Sequence, residues 1–298
     1  MIIRYMQIVY DYPLYRPPSE ANSVIFQVTI GCSYNKCSFC DMYRTKRYFE
    51  RSLDELKSEI DLVSADQPLT RRIFLADGDA LNLQTTVLFQ ILEYLYLKFK
   101  NLERVSCYAM PRNILQKKDT ELQKLREAGL SMLYVGIESG NDIVLRKITK
   151  GASQRQIIHS CRKAKDNGFT LSCMIILGIG GKMYSMQHIV DTAKTVNEIS
   201  PDYLAALSLN LEQGIHDEFM YKYSRQFEPL DDIEILNELS VLIDGVNSKY
   251  PITFRANHAS NVYSIGGTLP DDKEKLISLI NELKLDPGRL RDKRLRRF

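Results

Sequence analysis

Six times in succession a short run rich in β-branched residues is followed by a longer amphipathic one, and no other feature narrows the fold as much. The strand-like runs are Val24–Ile30, Arg72–Ala76, Arg104–Ala109, Met132–Ile137, Thr170–Leu177 and Tyr203–Leu209. Between and after them lie helical periodicities near 52–65, 84–100, 119–128, 153–167, 185–199 and 231–248. Strands separated by a helix each time cannot pair as hairpins; they join through crossovers, which predicts an α/β fold with a parallel sheet. Helix ends carry their own signals. Ser52 with Glu55 and Ser153 with Gln156 are spaced as capping boxes, and Gly129 and Gly168 stand where helices should stop. No Gly/Ser linker or shift in composition divides the repeats, so a single domain is expected. After residue 250 come one more strand-like run, Ile252–Arg255, and a last helix near 271–284.

With 298 residues and 44% hydrophobic content the chain can build a large core. Its net charge of +3 is spread along the chain, so no global field calls for nucleic acid or an acidic membrane. The basic tail, Arg289 to Phe298, is the local exception; it reads as a solvated terminus, with an anionic partner as the sharper alternative. The first twenty residues hold no sustained apolar stretch of signal-peptide type, and no run is long enough to span a membrane. A cytoplasmic protein is expected, and in that reducing compartment clustered cysteines point to metal or chemistry before disulfides.

Three of the six cysteines, Cys32, Cys37 and Cys40, fall within nine residues as C-x4-C-x2-C, on the loop leaving the first strand. In parallel α/β folds that is the end of the sheet where ligands bind. Structural zinc wants four ligands, and the next cysteine, Cys107, lies far off on another predicted strand. An inert buried trio fits poorly with Ser33, Asn35, Lys36 and Ser38 around it. Three thiolates suit a [4Fe–4S] cube with one iron left open. Cys107, Cys161 and Cys173 stand alone in strand or helix runs and read as core residues; without a second paired motif, no auxiliary cluster is expected.

These residues resemble the radical S-adenosylmethionine (radical SAM) superfamily, whose C-x3-C-x2-C motif follows the first strand and has an aromatic before the third cysteine, the place taken here by Phe39. The spacing departs from that motif by one residue, since Ser33, Tyr34, Asn35 and Lys36 stand between Cys32 and Cys37. Further elements follow in order. Asp77-Gly78-Asp79 looks like the element that receives the SAM ammonium. The stretch Gly136-Ile137-Glu138-Ser139-Gly140, with Val144-Leu145 and Lys150-Gly151, is similar to a signature of the coproporphyrinogen dehydrogenase and methylthiotransferase-like branches, with Glu138 accepting the ribose hydroxyls. Ile175, Leu177 and Gly178, ending the fifth strand, look like the element that lets backbone approach adenine.

The resemblance implies a partial (βα)6 TIM-like barrel over 23–210, an N-terminal segment 1–22, and a C-terminal extension 211–298 that completes the barrel and carries the basic tail. It implies a [4Fe–4S] cluster on Cys32, Cys37 and Cys40, and SAM held by Phe39, Asp77, Gly78, Asp79, Glu138, Ser139, Ile175, Leu177 and Gly178. One electron from a low-potential donor of flavodoxin or ferredoxin type would cleave SAM, and the resulting 5′-deoxyadenosyl radical would abstract hydrogen from a substrate. Substrate contacts are expected at strand ends, from Tyr108, Arg112, Asn113, Asn210, Glu212, Arg255, Asn257, His258 and Asn261. Three functions remain open: a radical SAM oxidoreductase or related enzyme acting on a small molecule, a cluster-bearing haem or cofactor chaperone, and an RNA-modifying radical enzyme, the last resting on the tail alone.

Overall fold

The computed structural model describes residue 8 and residues 10–296; the remainder of the N-terminal segment and the last two residues of the basic tail lie outside the described residues. The chain is α/β, with a mostly parallel sheet of eight strands in the order Val24–Gln27, Arg72–Ala76, Arg104–Tyr108, Leu130–Glu138, Thr170–Leu177, Tyr203–Ser208, Ile252–Ala256 and Ile265–Leu269. The strands are β1 (Val24–Gln27), β2 (Thr29–Ile30), β3 (Phe49–Glu50), β4 (Arg72–Ala76), β5 (Arg104–Tyr108), β6 (Leu130–Glu138), β7 (Thr170–Leu177), β8 (Tyr203–Ser208), β9 (Ile252–Ala256) and β10 (Ile265–Leu269). The helices are α1 (Leu53–Asp66), α2 (Thr85–Lys98), α3 (Pro111–Gln116), α4 (Asp119–Glu127), α5 (Asp142–Lys147), α6 (Gln154–Asp166), α7 (Gly181–Ile199), α8 (Gln213–Lys222), α9 (Asp232–Gly245) and α10 (Lys273–Leu285).

The chain groups into two compact units. Among the described residues the first comprises 8, 10–35, 42–134 and 163–169, and the second 36–41, 135–162 and 170–296. The chain passes between them several times, which is why no linker marks the division.

In the first unit β1 pairs in parallel with β4, β4 with β5, and β5 with the start of β6. The run Val24–Ile30 is two strands, not one. Val28 donates to Ala76 O while its own carbonyl accepts from Arg51 N, so the chain leaves β4 there and continues as β2 against β3. The core combines Phe26, Phe74, Leu75 and Val105 from the sheet with Leu88, Ile91, Leu92 and Leu95 from α2, all fully buried. Each such side chain contributes about 1.5–3 kcal/mol of transfer free energy. Ser52 and Glu55 form the capping box expected for α1. Gly129 and Gly168 have φ of +105° and +82°, left-handed values that stop the preceding helices at little cost only for glycine.

In the second unit β7, β8 and β9 pair in parallel and β10 joins β9 antiparallel. Ser153 and Gln156 exchange the expected capping hydrogen bonds. The helices α3, α5 and α8 had no counterpart in the sequence pattern, because α3 and α5 have six residues each, too short to repeat a 3.6-residue period convincingly. Two expectations for the C-terminal extension change. Among the described residues β1 and β10 end the strand order and are not paired with each other, so β9 and β10 lengthen the sheet and do not complete a barrel. The tail is not simply solvated: Arg291 donates through Nη1 to the carbonyls of His258, Ala259 and Asn261, and Arg296 makes a bidentate pair with Asp232 at 2.7 Å to each oxygen.

Candidate functional site

The first unit carries Cys32 and the turn after β4. Asp77 is wholly buried, and its carboxylate is already supplied with donors: Gly31 N at 3.0 Å, Gln27 Nε2 at 3.1 Å and Lys46 Nζ at 2.8 Å. This side chain therefore ties the base of the cysteine loop to β4. Asp79 differs. Its Oδ2 accepts from the Ser33 hydroxyl and, at 3.3 Å, from Ser33 N, with Arg112 Nη2 3.6 Å away, while the buried Oδ1 has no hydrogen-bond partner. Burial pushes the Asp79 carboxyl up to about 6 despite the lowering effect of Ser33 and Arg112. Gly78 stands between the two aspartates because a Cβ there would run into the Tyr43 ring. Arg112 also donates to the Ser33 hydroxyl, and its guanidinium lies 5.5 Å from the centre of the Tyr34 ring. Cys32 is half-buried, and burial raises its thiol pKa against the opposing effect of the Asn35 amide. Asn113 caps α3 at Met110 N, and its side chain, with Ser33 and Arg112, works against the rise in the Asp79 pKa; Tyr108 packs edge-on against Phe74 and Tyr134.

The second unit carries Cys37 and Cys40, both half-buried, with Phe39 between them also half-buried. Ser38 N donates to Ile148 O at 3.0 Å, tying this part of the loop to the segment that follows α5. Two residues on, Lys150 Nζ pairs with Glu138 Oε1 at 2.8 Å, with both side chains about nine-tenths buried. Burial works against the Lys150 charge, but Glu138 and the thiols of Cys37 and Cys40 outweigh it and hold the lysine above its usual pKa. Glu138 has φ of +62°, a sparsely populated conformation for a non-glycine residue and one that clusters at functional sites. Gly136 leaves the room this pair needs, since a Cβ there would meet the Glu138 carboxylate and lie 3.0 Å from Lys150 Nζ. Ser139 is fully buried and bonded to His188 Nδ1 at 2.8 Å. Burial lowers the His188 pKa to about 4, so the ring is neutral; Nε2–H donates to Ile176 O and Nδ1 accepts from the Ser139 hydroxyl. Ser139 therefore supports the strand end from inside.

Ile175 and Leu177 lie in the core, and Gly178 is covered by α9, where a Cβ would come within 2.8 Å of Ile235 Cδ1. The group that meets Gly178 is Glu238, a buried carboxylate that sequence reasoning missed because it looks like any polar position of an amphipathic helix. It accepts from Gly178 N at 2.6 Å and from the Ser185 hydroxyl at 2.7 Å. Burial raises its pKa from 4.5 to about 7. The charged form is thus disfavoured in the folded state, and the stability contributed by the neutral group is complete below about pH 4.5 and lost as pH rises through about 7. Glu238→Gln should flatten that dependence, with a gain on the order of 1–3 kcal/mol over wild type at pH 8 in urea unfolding. An unchanged slope between pH 5 and 8 would remove Glu238 as its source.

The other expected substrate contacts divide. Asn261 is buried, accepting from Ser208 Oγ at 3.0 Å and donating to Ala206 O at 2.8 Å, so it braces β8. His258 bonds Ser260 Oγ at 2.9 Å, and burial followed by Arg291 lowers its pKa. Asn210 bonds Glu212 at 3.1 Å, and Glu212, Arg255 and Asn257 are exposed. Cys107, Cys161 and Cys173 are fully buried, as expected, and none of the six cysteines is in a disulfide.

The family model described as the radical SAM superfamily matches residues 26–196, more than half of the chain. The chain belongs to the radical SAM superfamily. Its members bind a [4Fe–4S] cluster and SAM, and most are enzymes. Among curated relatives, the chain is 24% identical over 185 residues to the heme chaperone HemW of Bacillus subtilis, covering 59% of this chain and 48% of that protein. It is 26% identical over 190 residues to the uncharacterized methyltransferase PH0819 of Pyrococcus horikoshii, covering 62% and 39% respectively. The chain thus spans less than half the length of these curated relatives. Methylornithine synthase PylB shares the fold, with a TM-score of 0.52 at 16% identity over 75% of this chain and 63% of that one.

The residues present fit the family's cofactors. The cysteine loop offers three thiols outside any disulfide and is anchored through the amides of Gly31, to the Asp77 carboxylate, and of Ser38, to Ile148 O. Among the described residues no three His, Cys, Asp or Glu side chains converge on a point suited to one metal ion; a cube presents separate irons to its thiolates. The buried Asp79 Oδ1 without a partner is an acceptor awaiting a donor, and an unmade bond of this kind costs about 1–3 kcal/mol. Among the described residues no helix is long and apolar enough to cross a membrane.

Proposed function

We propose that this chain is a radical SAM enzyme in which Cys32, Cys37 and Cys40 hold the cluster, Asp79 takes the ammonium of SAM and Glu138 takes its ribose. The observation that carries this reading is the unpartnered Asp79 Oδ1, buried beside the start of the cysteine loop through its contact with Ser33. Asp77 is removed from the ligand's direct contacts because its three donors already occupy it; its part is to hold Gly31 in place. Ser139, Ile175, Leu177 and Gly178 act likewise from within, and Phe39 shields the loop between two cysteines. When bound, cluster and SAM supply one-electron cleavage of SAM and abstraction of hydrogen from a substrate. The protein positions both and excludes water. The electron comes from a low-potential donor of flavodoxin or ferredoxin type, the substrate is a small molecule, the overall reaction is an oxidoreduction or a related radical conversion, and the compartment is the cytoplasm.

Asp79→Asn removes the charge while keeping the shape. Equilibrium dialysis of the reconstituted protein should show about 10–100-fold weaker SAM binding, the worth of one charge-assisted hydrogen bond. Undiminished SAM affinity would displace Asp79 from this role. The likeness to HemW supports a second reading, a cluster-bearing cofactor chaperone. The two separate on 5′-deoxyadenosine: protein given SAM and a strong reductant anaerobically should form it as an enzyme and not as a chaperone. The RNA reading loses support, because Arg291 and Arg296, two of the basic groups on which it rests, are engaged within the fold.

A further inference from the structure

Glu138 and Lys150 form a buried ion pair that belongs to the same unit as Cys37 and Cys40, and its geometry links it to them. Ser38, between the two cysteines, donates its amide to Ile148 O. Lys150 follows two residues later in a backbone fixed on both sides: its own amide bonds Leu145 O at 2.9 Å, and Thr149 and Gly151 both have positive φ, +54° and +73°. The ammonium is therefore carried by a turn that is itself fastened to the cysteine loop. Gly136 is the space that admits it, and Glu138 Oε1 holds it at 2.8 Å. Electrostatic coupling of the lysine to both thiols agrees with this placement.

We propose that Lys150 is a positioning residue that sets the reduction potential of the cluster: a fixed positive charge beside the Cys37 and Cys40 thiolates, moderated by Glu138. This rests on the reading that these cysteines hold the cluster. The physical reason is direct. Reduction adds one electron, so a nearby cation favours the reduced form and raises the potential, while a nearby anion lowers it. In the low-dielectric surroundings of a buried pair neither charge is well screened by salt. The pair thus works as two opposed settings, and because Glu138 is also the proposed ribose acceptor, a ligand that draws on its carboxylate changes how much of the lysine charge the cluster feels. SAM binding and cluster potential are coupled through these two side chains.

The test is the midpoint potential of anaerobically reconstituted protein, followed by EPR-monitored redox titration with iron and sulfide counted in each sample. Lys150→Met should shift the potential to more negative values, Lys150→Arg should restore it, and Glu138→Gln should shift it the opposite way, to more positive values. A role in folding alone would not produce shifts of opposite sign. If wild type assembles the cluster but Lys150→Met and Glu138→Gln leave the potential where it was, or move it in the same direction, the inference is overturned. Should Lys150→Met fail to fold because Glu138 is stranded, the Glu138→Gln shift decides by itself. Failure of wild type to assemble any cluster would instead defeat the reading of Cys37 and Cys40 on which the inference rests.

Discussion

Cys37→Ala should leave anaerobically reconstituted protein with iron and sulfide near background and no detectable 5′-deoxyadenosine, whereas Cys161→Ala should keep both. All six cysteines are in reduced form, so disulfide chemistry does not separate them. Surroundings do. Cys161 is wholly buried, and losing its sulfur costs on the order of 1 kcal/mol of packing. Cys37 is half-buried on a loop held by Ser38 N to Ile148 O, and the Lys150 ammonium is coupled to it electrostatically. A three-thiolate cube has no spare ligand, so removing one leaves two irons without protein donors. Full iron and sulfide retention in Cys37→Ala would exclude that cysteine from the cluster.

Asp77→Ala should cost about 3–5 kcal/mol of stability in urea or thermal unfolding. Lys46 and Asp77 are an ion pair at 2.8 Å, with the lysine side chain 3% exposed and the aspartate 0%. Removing the carboxylate takes away the lysine's buried counterion and also leaves Gly31 N and one N–H of the Gln27 carboxamide without their acceptor in the core, the other N–H keeping Asp11 O. Asp11, 3.3 Å from Lys46 and half exposed, is the one remaining carboxylate partner of that lysine among the described residues. Asp79→Asn, only two residues away in sequence, should change stability little and weaken SAM binding. Equal destabilisation by the two substitutions would contradict the division drawn between a structural and a ligand-facing aspartate.

That division was not legible in the sequence, where Asp77 and Asp79 flank Gly78 symmetrically. Which one retains an open acceptor depends on Gln27, Gly31 and Lys46, brought to Asp77 from positions 31 to 50 residues earlier in the chain. Glu238 was invisible for the same reason: it meets Gly178 across 60 residues of sequence. The strands, by contrast, were readable to within a residue or two at most ends, because β-branched runs and helical periods are local properties. The exception, Val24–Ile30, broke at Val28 when a long-range partner, Arg51, replaced β4. The basic tail misled in the same way, since a run of arginines cannot announce that Arg296 will find Asp232.

By itself the sequence determined the α/β class, the βα order, the three closely spaced thiols and the resemblance to the radical SAM superfamily. Each of these resides in short-range pattern, in composition or in spacing along the chain. Tertiary structure alone decided that the sheet's end strands stay unpaired with each other among the described residues, that Asp77 braces while Asp79 keeps an open oxygen, and that Glu138 and Lys150 are paired. Those outcomes depend on which donor reaches which acceptor once water is excluded. An unmet partner in the interior costs as much as several solvent-exposed contacts contribute, so the folded arrangement of distant residues assigns the roles.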